Sequence, residues 1–153
     1  MPGSRRLRAK RFCELAVVLM STVAAAPLVG YQVEGDQIAA SLTGHDGDPV
    51  HGREIIINRQ LGACLLCHSG PFPDPHLQGS IAPSLDGVGS RLTAGEIRLR
   101  LVDPRKVNAQ TMMPAYYVTD GLTRVGKPWQ ERPMLSAEQI EDVVAYLATL
   151  RAP

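Results

Sequence analysis

Apolar residues recur at helical spacing most clearly near the C-terminus, where Ile140, Val143, Val144, Leu147 and Leu150 fall on one face and predict an amphipathic helix with that face in a core. Ser136-Ala137-Glu138-Gln139, just ahead of it, has the capping-box pattern, in which two side chains satisfy exposed amides of the first turn. A second box, Thr93-Ala94-Gly95-Glu96, precedes Ile97, Leu99 and Leu101-Val102, and Pro104 closes that segment. A third helix is expected over Glu54-Ile55-Ile56-Ile57-Asn58-Arg59, leading into the motif that follows; its three isoleucines suit a strand equally well by pattern alone. Between these segments, Pro71, Pro73, Pro75, Gly79 and Pro83 punctuate the chain too often for regular structure. Residues 27–50 are rich in Gly and Asp, lack a long apolar period, and read as a flexible extension outside the core. The expected fold is all-α, with three main helices and a loop-rich middle in one domain over residues 51–153.

Length agrees with that reading: 153 residues with 44% hydrophobic and 5% aromatic content suffice for one core and not for two comfortable domains. The N-terminus is of another kind. Arg5, Arg6, Arg8, Lys10 and Arg11 precede a short apolar run from Leu15 that ends in Ala24-Ala25-Ala26, the pattern of a secretory signal peptide over residues 1–26. The run is short for a membrane-spanning helix, and Pro27 leaves the cleavage position open. Five of the 16 Lys and Arg and one of the 15 Asp and Glu lie in this segment, so 11 face 14 in the remainder and the formal +1 becomes about −3. No basic stripe for nucleic acid is left, and the mature chain is expected to be exported.

The chemistry sits in Cys64-Leu65-Leu66-Cys67-His68. Thiols at i and i+3 on one turn suit addition to the two vinyl groups of a haem, with the adjacent imidazole as proximal iron ligand. Three other uses of the spacing are a structural zinc site, a redox pair and a disulfide. Zinc asks for a second pair of ligands, and a redox C-x-x-C belongs at a strand-to-helix junction; neither context surrounds Cys64. A haem held by His68 leaves its other side open to a sixth ligand. Met112, Met113 and Met134 compete for that place, thioether sulfur being soft and favouring ferrous iron. Met113 is preferred: it lies 45 residues beyond His68 in a non-helical stretch, and Pro114 restricts it to extended backbone. His76 is too near His68 in sequence to reach round easily, and His45 and His51 precede the motif. Pro83 is a candidate for orienting His68 through a carbonyl that takes the Nδ1 proton, and is equally readable as a loop proline.

Cys64–His68, Gly87-Val88-Gly89-Ser90-Arg91, Met113-Pro114 and the final helix together resemble class I c-type cytochromes. Over residues 52–151 the chain is similar to the SoxX family of sulfur-oxidation cytochromes, through Gly52-Arg53-Glu54-Ile55, Ala82-Pro83-Ser84-Leu85-Asp86-Gly87, Val102-Asp103-Pro104-Arg105 and Met112-Met113-Pro114-Ala115-Tyr116-Tyr117. Ala63 and Leu66 depart from residues frequent in that family. The resemblance implies one covalently attached haem c with His68 and Met113 as axial ligands and Cys64 and Cys67 as attachment points. It further implies a SoxA-type partner, the pair joining thiosulfate to a cysteine thiol of a carrier protein. The chemistry would lie on the partner's cysteine-ligated haem, and this chain would pass electrons to a downstream acceptor. Consistent with that division, no nucleophile with a base at recognisable spacing stands out, so no catalytic residue is assigned. A free-standing soluble electron carrier is the alternative, and a haem enzyme or sensor with an open distal side is a third.

Overall fold

Among the described residues there are four α-helices: α1 Pro49–Ile57, α2 Val88–Arg91, α3 Ala94–Val102 and α4 Ala137–Thr149. They are joined by loops carrying short 3-10 turns at Cys64–Leu66, Pro75–Leu77, Pro104–Lys106 and Lys127–Trp129. The structure, a computed structural model, describes residues 28–152; the expected signal peptide lies outside the described residues. Among the described residues the only β pairing is an isolated bridge between Glu34 and Gln37.

Local chemistry sets where each helix starts. Pro49 occupies the first position of α1 while the Asp48 carboxylate accepts from the N–H of Val50 at 2.8 Å, satisfying an amide that the helix leaves free. Both expected capping boxes form, Thr93 with Glu96 and Ser136 with Gln139. The Ile55–Ile57 ambiguity resolves to helix, with Ile55 and Ile56 both buried. α1 crosses α4 at Gly52, where any Cβ would collide with the backbone carbonyl of Asp142; glycine is what lets the two backbones approach. The core beneath this crossing takes Leu99 and Val102 from α3 and Ile140, Val143, Val144 and Leu147 from α4.

The reading of residues 27–50 as an extension outside the core is corrected by the structure over residues 28–48. Ile38 and Leu42 are buried members of the core. The Ile38 N–H donates to the Gly95 carbonyl at 3.0 Å and the Leu42 N–H to Glu141 Oε1 at 2.9 Å. Tyr31 stacks at a tilt on Tyr117, with ring centroids 6.5 Å apart. This strap has no regular apolar period, yet it is held because its backbone groups find partners on α3 and α4.

Candidate functional site

The turn that carries Cys64, Cys67 and His68 is built from the end of α1. The Asn58 carbonyl accepts from the N–H groups of Leu61, Gly62 and Ala63 at 3.3, 3.2 and 3.0 Å, a tight reversal that delivers the chain to the 3-10 turn Cys64–Leu66. Ala63 enters that turn in the left-handed conformation, φ 54°. The Cys64 carbonyl then accepts from both Cys67 N–H and His68 N–H, at 3.2 and 3.0 Å. Cys64 and Cys67 are free thiols, and with His68 they line one cavity of about 470 Å³ that also takes in Pro83, Met113 and Tyr116. An adjoining cavity of about 360 Å³ shares His68, Pro83 and Met113 and runs inward to Leu101 and Leu147.

The loop after His68 is zipped to this turn. Gly79 N–H donates to the Leu65 carbonyl at 2.8 Å, Ala82 N–H to Cys67 at 3.0 Å and Leu85 N–H to Ser69 at 2.8 Å. That register sets the Pro83 carbonyl 2.7 Å from His68 Nδ1. A carbonyl can only accept, so Nδ1 carries the proton and Nε2 keeps its lone pair for a metal. Of the two uses open to Pro83, the structure shows the orienting one.

Met113 reaches the crevice from a separate loop. Its N–H donates to Thr111 Oγ1 at 3.1 Å, and three residues on, Tyr116 N–H donates to the Leu101 carbonyl at 3.0 Å. Met112 also lines the outer cavity but is 80% exposed, whereas Met113 packs against the core and borders both cavities. Met134 lies on the outer rim, 41% exposed. His76 is exposed in the Pro75–Leu77 turn, His45 sits against the Asp46 carbonyl, and His51 Nδ1 lies 2.7 Å from Asp142. None of these three borders the crevice.

Burial pushes the Cys64 thiol up to about 11, against an opposing pull from the Tyr116 hydroxyl. Such a thiol stays protonated at neutral pH, unlike the lowered thiol of a redox C-x-x-C. Tyr116 is itself raised, by burial first and then by Cys64. Among the described residues no three of His, Cys, Asp and Glu converge where a metal ion could be held by them alone, which does not suit a zinc knuckle. The donor set does fit a haem c: two thiols on one turn, one imidazole nitrogen left open, and a thioether from a separate loop on the same mainly apolar crevice. Tyr116 was missed as a site residue by sequence reasoning; its contact with the motif spans 54 residues, and no local pattern announces it.

One solved structure, the crystal structure of SoxXA from P. pantotrophus, superposes with a TM-score of 0.75 and 38% sequence identity, over 80% of this chain and 95% of the matched chain. It shares the class I cytochrome c-like helical fold. No family model and no curated protein matches the chain.

Proposed function

The chain belongs to the SoxX family of cytochromes, and from that premise we propose that it is the monohaem electron-transfer subunit of a periplasmic thiosulfate-oxidising complex formed with a SoxA-type cytochrome. The observation that carries the reading is the convergence of Cys64, Cys67, His68 and Met113 on one apolar crevice.

Cys64 and Cys67 would hold the haem through thioether bonds, and His68 Nε2 and the Met113 sulfur would hold its iron. When bound, the haem supplies a one-electron ferric/ferrous couple. The Pro83 carbonyl keeps the His68 ring in one orientation through Nδ1. Met113, as a soft ligand, favours the ferrous form and raises the potential. Leu101 and Leu147 line the inner crevice with apolar surface. Joining thiosulfate to a carrier thiol forms one S–S bond and releases one proton and two electrons. Electrons pass one at a time through such a couple, so this chain would cycle twice for each thiosulfate joined. No residue here carries the sulfur chemistry; that belongs to the partner.

Around the mouth of the crevice, Leu66, Ile81, Met112 and Met134 are large apolar residues left exposed. Through Met134 they continue into a hollow of about 560 Å³ behind the Met113 loop, where Trp129 is exposed. Contiguous apolar surface of this kind marks an interface, and we assign it to the partner cytochrome. The test is purification of the tagged protein from its native host, with intact mass and identification of bound proteins. The reading expects one added haem, lost when Cys64 and Cys67 are both changed to Ala, and a second c-type cytochrome in stoichiometric yield. A haem-bearing chain that purifies alone under gentle conditions would favour the free-standing carrier.

A further inference from the structure

We propose that Tyr116 is a positioning residue for the distal ligand: its hydroxyl ties the Met113 loop to the attachment turn and so fixes the span between the two sides of the crevice. Resting on the reading of Met113 as an iron ligand, the inference deepens it by naming what holds that ligand in place.

Tyr116 is buried, and its hydroxyl donates to the Gly62 carbonyl at 2.6 Å. Gly62 is two residues before Cys64; Tyr116 is three residues after Met113. The bond therefore joins the segment that leads into Cys64 to the segment that carries Met113. Both ends of the tie are themselves fixed. Gly62 N–H is held by the Asn58 carbonyl at 3.2 Å, and a Cβ at Gly62 would sit 2.5 Å from the Ile55 carbonyl and 3.1 Å from Cys64 Sγ, so the turn cannot move toward α1. Tyr116 is locked by its N–H on Leu101 and by its carbonyl, which accepts from Leu135 N–H at 3.0 Å. Pro114, between Met113 and Tyr116, removes backbone freedom from the short connection. Among the described residues, no other hydrogen bond joins residues 111–117 to residues 62–68.

The neighbouring residue provides the control. Tyr117 is equally buried and its hydroxyl also makes one bond, accepting from Val29 N–H at 2.9 Å, but it borders neither crevice cavity. Tyr116→Phe and Tyr117→Phe thus delete the same atom from adjacent core tyrosines, and both keep the ring that fills the space. In the ferric haem-loaded protein, two readouts apply: the weak sulfur-to-iron absorption at the red end of the spectrum, and the affinity for added imidazole, which enters only when the thioether leaves. A buried hydrogen bond of ordinary strength corresponds to about a tenfold change in that competition. Expected for Tyr116→Phe are a weakened band and about tenfold tighter imidazole binding, with Tyr117→Phe matching the wild type in both. Equal behaviour of the two variants, whether both shifted or both unshifted, overturns the positioning role. A wild-type protein without the sulfur-to-iron band overturns the ligand assignment and the inference with it, and shows itself before any variant is compared.

Discussion

Arg98 of α3 and Glu141 of α4 form a two-pronged ion pair in the core, Nε to Oε1 at 2.7 Å and Nη2 to Oε2 at 2.8 Å. Their side chains are only 7% and 3% exposed. The pair also gathers the N-terminal strap: Arg98 Nη1 donates to the Ile38 carbonyl at 2.7 Å, and Glu141 Oε1 accepts from Leu42 N–H. Every prong of this clamp is therefore occupied, which is the condition under which a buried ion pair is tolerated.

Removing one partner leaves the other charged and buried. Glu141→Ala is expected to destabilise the haem-loaded protein by about 3–5 kcal/mol, read as a lower urea midpoint. Arg98→Met combined with Glu141→Leu should cost less than either single change, since no uncompensated charge remains. A double variant as unstable as Glu141→Ala would mean that the pair holds the strap by more than charge.

Ala63 carries backbone strain at the entrance of the Cys64–Leu66 turn. Its φ of 54° lies in the left-handed region, which costs a residue with a Cβ roughly 1–2 kcal/mol and which glycine and asparagine adopt more readily. Ala63→Asn should raise stability by up to about 1 kcal/mol with the haem spectrum unchanged, as measured by thermal unfolding. An unchanged or lower midpoint would show that the turn relaxes around alanine without strain.

The two adjacent methionines separate in the structure by burial, Met112 exposed and Met113 against the core. Met113→Ala is expected to abolish the sulfur-to-iron absorption, lower the reduction potential and open the iron to added ligands. Met112→Ala should leave all three in place. A reversed pattern would hand the ligand role to Met112.

For the proposed partner face, replacing a rim residue other than His68 and Met113 is most informative. Ile81→Asp and Trp129→Ala, both at exposed apolar positions, should each weaken association with the second cytochrome by about tenfold or more if they are central to the contact, with the haem spectrum intact. Affinity unchanged in both, by calorimetry, would move the interface elsewhere.

Much of this was legible in the chain because the governing patterns are local. α3 and α4 announce themselves through a capping box followed by apolar spacing, and the Cys64–His68 motif is a single turn whose residues need no distant context. What was not legible is held by contacts far apart in sequence. Ile38 and Leu42 form no run long enough to read as a core element, and the strap is fixed by Arg98 and Glu141, 60 and 99 residues beyond Ile38 and Leu42. Charged residues inside an apolar face look like solvent positions until both are seen to meet. In the same way, the motif containing Tyr116 was recognisable, whereas the reach of its hydroxyl back to Gly62 belongs to the tertiary structure alone.

The central claim, that this chain receives the electrons of thiosulfate oxidation, is tested most directly by watching its haem during turnover. The oxidised complex with the partner cytochrome would be mixed rapidly with thiosulfate and the reduced carrier thiol, and the ferrous absorption of this haem followed alongside formation of the carrier conjugate. The account predicts that the haem is reduced at the rate at which conjugate forms and that, with an external acceptor present, two electrons pass for each thiosulfate joined. Conjugate formed at the full rate while this haem stays ferric would contradict it.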